Sequence, residues 1–327
     1  MFENPALALE ALINIPSPTG EEAEIAHALQ NLIAKEIPLD LLELQEVEKY
    51  RWNVIGIRGN PEIFFSSHLD TVPVTALFHS TPETIYGTGA CDAKGQIAVQ
   101  LAAIAQARKK GVADYGFFFV VGEEVNSVGA KHAIRHPAIK GKIVLNGEPT
   151  GNRFVSRSRG FAHYLLTAKG QSVHTSLDRF DSAIHALISD ADRILEADDR
   201  HDHLNIGRIR GGTAANVVAD YAEAHLSFRP LAENDISPDR FKGLLQHCEI
   251  RLFDSIKPME LFVPEQHQDR SIEVSYSSDA VHYASVFERV MMFGPGSMEY
   301  AHSPNEQILK RELLEATEQL SALLCHV

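Results

Sequence analysis

The sequence predicts an α/β protein with a second, smaller domain inserted into the chain. In the first half, short apolar runs that are typical of buried strands alternate with helical patterns, and acidic or histidine clusters directly follow several of these runs. In open α/β sheets, ligands bind beyond the carboxyl ends of strands, so these clusters mark one candidate site. From about residue 158, the pattern changes to strand, helix, strand, strand, helix, strand, which is typical of a ferredoxin-like domain.

The first domain opens with two helices. Apolar residues at helical spacing predict helices over 7–13 and 21–34, separated by a break at Pro16-Ser17-Pro18-Thr19-Gly20. The elements that follow are strands over 53–57 and 63–67, an alanine-rich helix over 95–110, and strands over 115–121 and 143–146.

The inserted domain is predicted from six further segments. These are a strand over 161–168, a helix over 181–197, strands over 204–210 and 217–228, a helix over 238–248 and a strand over 249–256. After the inserted domain, the chain returns to the first domain with segments 271–276 and 290–293 and a last helix over 305–325. We therefore predict one domain from residues 1–157 and 265–327, and an inserted domain from 158–264.

Composition excludes several classes of function. The 327 residues, 44% of them hydrophobic, allow two domains with full cores. A formal net charge of -14, without any Lys/Arg run, argues against a nucleic-acid partner. No apolar stretch approaches the roughly 20 residues that cross a bilayer, and the first residues do not resemble a signal peptide. We expect a cytoplasmic protein that binds no membrane.

Any bound metal must be held by nitrogen and oxygen. The cysteines, Cys91, Cys248 and Cys325, are too far apart for a thiolate cluster or a disulfide framework. Two histidines and several carboxylates stand in order along the chain: His68, Asp92, Glu124, Glu148 and His302. This mixture suits zinc and, less selectively, cobalt or manganese.

Asp92 is the candidate for a carboxylate that bridges two metal ions, because it lies on a glycine-lined loop between Gly87 and Gly95. The alternatives are a cap for the following helix or a phosphate-binding loop. Asp70 lies two residues after His68 at a strand end, so both side chains share a face and Asp70 could orient the imidazole. The alternative is a surface histidine beside an aspartate.

Glu123 and Glu124 follow a buried strand. Because neighbouring side chains point in different directions, one could bind metal while the other transfers protons as general base and then general acid. The alternative is a solvated acidic loop.

Five motifs in this order resemble the dinuclear-zinc amidohydrolases that include acetylornithine deacetylase, succinyl-diaminopimelate desuccinylase and aminoacylase. The resemblance runs from about Pro16 to Glu306, and the motifs are His68-Leu69-Asp70, the run from Gly87 to Gly95, Gly122-Glu123-Glu124, Gly147-Glu148-Pro149 and His302. It implies a metallopeptidase-like catalytic domain with an inserted lid and dimerisation domain. It also implies that His68, Glu124, Glu148 and His302 are terminal ligands, that Asp92 is the bridge, that Glu123 is the acid/base and that Asp70 supports a ligand.

The resemblance extends into the inserted domain. It implies that His174 reaches across a homodimer to the partner's active site and helps to bind the oxyanion. It also implies that Asn216 and Arg229 bind the substrate's carboxylate, with the loop that contains Gly296 and Ser297 nearby. Without the resemblance, these residues would be interpreted as surface or turn residues, and the segment His201-Asp202-His203 as a solvated turn.

The sequence departs from the family where Ala93 replaces a frequent Met, and in a short loop between Asp70 and Gly87. The expected activity is hydrolysis of an N-acyl amino acid by a metal-activated water, with Glu123 as base. Acetylornithine-type deacetylation, a step of arginine biosynthesis, is the first choice. Desuccinylation, dipeptidase or carboxypeptidase cleavage, and an inactive metal-bound scaffold are the alternatives.

Overall fold

The computed structural model describes residues 1–177, 181–197 and 203–326. The chain divides into two compact units. The first comprises Met1–Ser156, Leu261–Ile272 and Ser278–Val327, and the second comprises Arg157–Glu260 and Glu273–Ser277. Among the helices described, none combines the length and apolar character that a membrane span requires.

The strands of the described residues are numbered in chain order. They are β1 (Leu41–Glu48), β2 (Arg51–Arg58), β3 (Ile63–His68), β4 (His79–Ser80), β5 (Thr84–Tyr86), β6 (Tyr115–Val120), β7 (Ile143–Asn146), β8 (Val155–Ser158), β9 (Phe161–Lys169), β10 (Asn205–Gly211), β11 (Tyr221–Phe228), β12 (Glu249–Ile256), β13 (Met259–Glu260), β14 (Ile272–Val274), β15 (Arg289–Met292) and β16 (Gln307–Leu309).

The α-helices are numbered in the same way. They are α1 (Pro5–Ile13), α2 (Ala23–Glu36), α3 (Lys94–Lys109), α4 (Val128–Ala133), α5 (Ala183–Ala197), α6 (Ala280–Tyr283) and α7 (Lys310–Cys325). Short 3-10 helices span Glu233–Ile236, Pro238–Phe241 and Glu265–Arg270.

The first unit is built on a mixed sheet in the order β1-β2-β6-β3-β7-β15. Strands β6, β3, β7 and β15 are parallel, whereas β1 and β2 pair antiparallel at one edge. Strands β3 and β6 are buried along their whole length, as expected for parallel strands covered on both faces. The predicted α/β class is confirmed.

The parallel strands bring the candidate residues to one edge of the sheet. His68 is the last residue of β3, Glu123 follows β6 by three positions, and Glu148 follows β7 by two. Neighbouring parallel strands have their carboxyl ends at the same edge, so the three side chains converge although up to 80 residues separate them.

The second unit contains an antiparallel sheet in the order β10-β11-β9-β12, packed against α5. Side chains alternate along β9, so that Ala162, Tyr164, Leu166 and Ala168 enter the core. On the helix, Leu187 and Ile194 meet this face.

The helix predicted over 238–248 is wrong. Only Pro238–Phe241 is helical, with 3-10 geometry, and turns follow. The backbone N–H groups of Gln246, His247 and Cys248 donate to the carboxylate of Asp190 on α5, at 2.8 to 3.2 Å. These bonds to α5 replace those that an α-helix would make within itself, and so they hold the segment as a loop.

Six of the described strands were not predicted, namely β1, β4, β5, β8, β13 and β16, and two of them show why. Strand β1 has a mixed sequence that is only partly buried, and it forms because it pairs with β2 at the sheet edge. Strand β16 occupies the start of the predicted helix over 305–325, because Gln307–Leu309 pairs with β5. Helix α7 therefore begins at Lys310.

Candidate metal centre

The carboxylate of Asp92 lies between two imidazoles. Nε2 of His68 is 3.0 Å from Oδ1 of Asp92, and Nε2 of His302 is 3.2 Å from Oδ2. The same His302 nitrogen is 2.9 Å from Oε1 of Glu124. Each oxygen of Asp92 thus faces a different imidazole, as a carboxylate that bridges two cations would require.

A backbone carbonyl fixes the protonation of His68. Nδ1 of His68 donates to the carbonyl oxygen of Asp70 at 2.8 Å, and a carbonyl oxygen can only accept, so the proton is on Nδ1. Nε2 faces the ionised Asp92 carboxylate, which can only accept, so Nε2 carries a proton in the metal-free site and would release it on binding a cation. The carboxylate of Asp70 is farther away, with Oδ1 3.6 Å from Nδ1. The orienting hydrogen bond therefore comes from the main chain of Asp70 rather than from its side chain.

The side chain of Asp70 instead holds the two glutamates in place. Its Oδ1 accepts the N–H of Glu123 at 3.1 Å, and Oδ2 accepts the N–H of Glu124 at 3.2 Å. The hydroxyl of Thr19 donates to Oδ2 at 2.8 Å. Asp70 is buried, but the nearby His68 imidazole and the hydrogen bonds from Thr19 and the Glu123 N–H outweigh that burial and lower its pKa. It therefore stays ionised while it aligns the strand end that carries the glutamates.

Several carboxyl groups are crowded at this edge. Burial and the charge of Glu148 raise the pKa of Glu123 well above its usual range, while the His68 imidazole acts in the opposite direction. Burial likewise raises the pKa of Glu148, and Nδ2 of Asn146 donates to its Oε1 at 3.0 Å. Both imidazoles outweigh burial at Asp92 and lower its pKa. Because these carboxyl groups repel one another, a bound positive charge would be favourable at this edge of the sheet.

The donor set fits divalent cations. His68, Asp92 and Glu124 each offer one ligand atom, and these atoms lie within 4.8 Å of one another. His302 contacts two of these three residues, and Glu148 interacts electrostatically with His68 and Asp92. Imidazole nitrogens mixed with carboxylate oxygens are typical ligands of zinc and of related transition metals.

Two backbone features bring the loops together. His302 has a φ of 58°, a left-handed conformation that is uncommon for a residue with a side chain and that is frequent at functional sites. Gly296 has a φ of 84°, and a Cβ there would lie 2.5 Å from Cβ of Cys91. Glycine at position 296 thus lets its loop pack directly against the loop between Gly87 and Gly95 that carries Asp92, called the Asp92 loop below. The Sγ of Cys91 contacts the carbonyl oxygen of Ser297 at 3.7 Å.

The second unit brings His174 and Asn216 close together, although they are 42 positions apart. His174 forms an isolated β-bridge with Val217, and the N–H of Thr175 donates to the carbonyl of Asn216 at 3.2 Å. The N–H of Ser176 donates to Nδ1 of His174 at 3.2 Å. Nδ1 is therefore an acceptor, and in the neutral ring the proton is on Nε2.

Arg229 is partly buried within the second unit. Its guanidinium carbon lies 6.0 Å from the centre of the Phe161 ring, and burial lowers its pKa. In the segment His201-Asp202-His203, His201 and Asp202 lie outside the described residues.

Sequence reasoning missed two buried acids in the first unit. Asp279 is 1% exposed beside the Ser278 hydroxyl, which accepts from Asn146, and Glu306 is 1% exposed beneath the Asp92 loop. The position of Glu306, four residues after His302, was the only available signal.

The sequence matches the family described as peptidase family M20/M25/M40 over residues 64–326. Among curated relatives, a peptidase M20 domain-containing protein of Schizosaccharomyces pombe is 28% identical, with 94% of this chain and 80% of the relative covered. A probable carboxypeptidase of Aspergillus clavatus is 28% identical over 96% and 86% of the two chains. The N-acetyl-L-citrulline deacetylase of Xanthomonas campestris is 26% identical over 83% and 84%.

Solved structures share the fold. A tripeptidase from Staphylococcus aureus superposes with a TM-score of 0.80 at 19% identity, covering 100% of this chain and 99% of the other. A dinuclear metal binding peptidase of the M20 family from Bacillus subtilis gives 0.73 at 14% identity, covering 98% and 96%. The family resemblance predicted from the five motifs is confirmed by the family match and the curated relatives.

We expect Asp279→Asn to stabilise the metal-free protein in a pH-dependent way. Burial raises the pKa of Asp279 to about 7, against 3.8 when unperturbed, so the folded state retains a proton that the unfolded state loses between these values. Parental stability therefore falls as pH rises through this window, whereas asparagine does not ionise. The gain from the substitution should grow from pH 4 to 7 and then level off, at up to about 4 kcal/mol.

Urea unfolding at a series of pH values, after removal of metal with a chelator, measures this gain. Asp269→Asn is the matched control, because Asp269 is exposed. Parallel pH profiles for the parent and Asp279→Asn would contradict the assignment.

Proposed function

The chain belongs to the peptidase family M20/M25/M40, and on this premise we propose that it hydrolyses the amide bond of an N-acyl amino acid, with Glu123 as the proton-transferring group. The family and the deacetylase and carboxypeptidase relatives make it a hydrolytic enzyme. The observation that most supports the proposed chemistry is the carboxylate of Asp92, which has an imidazole at each oxygen.

We propose that two divalent ions bind here, with zinc as the first choice and cobalt or manganese as alternatives. Glu124 and His302 would hold one ion and His68 and Glu148 the other, with Asp92 shared. The 2.9 Å contact of His302 with Glu124 and the electrostatic interaction of Glu148 with His68 support this division. Such ions, when bound, polarise an amide carbonyl and make water a better nucleophile near neutral pH.

Glu123 is suited to move a proton between water and the amide nitrogen. Burial and neighbouring carboxylates raise its pKa toward the range in which a carboxyl group can both accept and return a proton. The bond from its N–H to Asp70 fixes the main chain at this point, while its own carboxylate remains available. Glu123 would accept a proton from the attacking water and donate it to the leaving amine.

We expect Glu123→Gln to lower kcat by about 100-fold or more while metal content stays near two ions per chain, because glutamine cannot accept the proton. Glu124→Gln should instead lower metal content, because it replaces the carboxylate that contacts His302. The two adjacent, isosteric changes serve as controls for each other. Metal analysis and steady-state kinetics of both variants test the assignment, and the reverse pattern would require the two roles to be exchanged.

The substrate class is proposed from the relatives. The N-acetyl-L-citrulline deacetylase supports deacetylation of an N-acetyl amino acid, of which acetylornithine-type deacetylation is our first candidate. The probable carboxypeptidase supports peptide cleavage as the second candidate. Initial rates on N-acetyl amino acids, N-succinyl amino acids and dipeptides at matched concentrations distinguish the candidates. No hydrolysis of any of these by the metal-loaded enzyme would favour an inactive scaffold.

We propose that Arg229 binds the substrate's carboxylate, with Asn216, Gly296 and Ser297 as further contacts, on the basis of the sequence resemblance. A guanidinium can bind a carboxylate through two parallel hydrogen bonds, and lysine cannot reproduce this geometry. Arg229→Lys should therefore lower kcat/KM on an N-acyl amino acid by roughly 10-fold to 150-fold, the equivalent of about 1.5 to 3 kcal/mol.

The control substrate is the same compound with its carboxylate replaced by a carboxamide. This compound should be poor for the parent and nearly unaffected by Arg229→Lys, because it never made the contact. Equal losses on acid and amide would indicate that Arg229 supports the fold of the second unit instead.

We also propose a homodimer in which the second unit serves as lid and dimerisation domain and His174 completes the partner's site. The hydrogen bond from Ser176 to Nδ1 leaves Nε2 as the donor in the neutral ring, which suits binding of an oxyanion. Mixing inactive His174→Ala and inactive Glu123→Gln chains should restore part of the activity, because one site of a mixed dimer is then whole. A verified mixed dimer without activity would restrict His174 to its own chain.

A further inference from the structure

Glu306 lies beneath the Asp92 loop and is bonded to its main chain. Its Oε1 accepts the N–H of Cys91 at 3.1 Å and the N–H of Asp92 at 3.2 Å, and a further backbone bond comes from Gly89. Only 1% of Glu306 is exposed. Because one carboxyl oxygen accepts from two successive backbone N–H groups, the side chain fixes the path of this loop.

The segment from His302 to Glu306 contacts both the side chain and the main chain of Asp92. His302 contacts the carboxylate of Asp92 with its imidazole, and four residues later Glu306 holds the backbone N–H of Asp92. The N–H of Gly87 donates to the carbonyl of Glu306 at 3.0 Å, which continues the pairing of β16 with β5. The pairing of β16 with β5 therefore fixes the position of Glu306 relative to the loop between Gly87 and Gly95.

A buried lysine supplies the opposite charge. Lys94, at the start of α3, is 1% exposed, and its Nζ donates to the carbonyl of Ile15 at 2.6 Å. Its charge interacts with that of Glu306. Because Oε1 of Glu306 accepts from two N–H groups, the side chain contacts the main chain of the loop.

We infer that Glu306 is a positioning residue for the metal centre: it fixes the Asp92 loop so that the two oxygens of Asp92 face His68 and His302. This inference rests on the proposed function in one respect, namely that Asp92 binds metal. Residues that orient a ligand typically change metal affinity by about 10-fold to 100-fold when they are replaced.

The test is the affinity of Glu306→Ala and Glu306→Gln for Zn²⁺ and Co²⁺, measured by competition with a chelator, together with the visible spectrum of the Co²⁺ form. Glu306→Ala leaves the loop N–H groups without their acceptor, and affinity should fall by about 10-fold or more with an altered spectrum. Glu306→Gln keeps one oxygen for Cys91 and Asp92 but turns an amide group toward other donors. Its affinity should lie between those of the parent and the alanine variant.

Asp190→Ala is the matched control. Asp190 is also fully buried and accepts three backbone N–H groups, but it does so in the second unit, for a loop without any proposed ligand. It should lower the melting temperature and leave metal affinity within about 2-fold of the parent.

Parental affinity in both Glu306 variants would overturn the inference, as would an equal loss in Asp190→Ala, which would indicate general destabilisation. Glu306→Gln keeps the test valid if the alanine variant does not fold. A parent that binds no divalent ion would overturn the proposed function as well, whereas a metal-binding parent with unaffected Glu306 variants would overturn this inference alone.

Discussion

The structure of the site depends on the carboxylate of Asp92 being held between two imidazoles that come from distant parts of the chain. His68 lies 24 positions before Asp92, and His302 lies 210 positions after it. Both nitrogens lie within hydrogen-bonding distance of Asp92, each at its own oxygen. Small changes in the path of any of the three segments would break one of these contacts, so the surrounding fold has to fix all three independently.

Each segment is fixed by main-chain interactions rather than by the side chains of the proposed ligands themselves. Strand β3 is buried between two parallel neighbours and ends at His68. The Asp92 loop is bonded from below by Glu306, and Gly296 allows a neighbouring loop to pack against Cys91. Preorganisation of this kind removes the cost of arranging ligands when a cation or substrate binds. This arrangement also brings several carboxyl groups close together. Burial and the neighbouring carboxylates raise the pKa of Glu123, Glu148 and Asp279.

The sequence was informative where function follows local pattern. Apolar runs ending in His68, Glu123 and Glu148 could be recognised because strand ends in a parallel sheet converge. The roles of Glu306 and Asp190 were missed, since each accepts from backbone N–H groups far away in sequence, and no local pattern reports such bonds. The wrong helix over 238–248 has the same origin, because tertiary hydrogen bonds to Asp190 override helical propensity.

The relatives include proteins named as carboxypeptidases and as a deacetylase, and the chemistry that we propose is compatible with both activities. The amide carbon and nitrogen of an N-acyl amino acid are chemically the same as those of a peptide bond, so the metal ligands and the acid/base that we propose would serve either substrate. Selectivity must therefore come from side chains that contact the acyl group and the amino-acid side chain. In the first unit, the short loop between Asp70 and Gly87 exposes Val74 and Leu77, and Thr75 on this loop donates to the carbonyl of Ser303, next to His302. The sequence resemblance implies that this loop is short for the family while all five proposed ligands are present, so we expect the loop to affect substrate choice without altering the proposed metal centre.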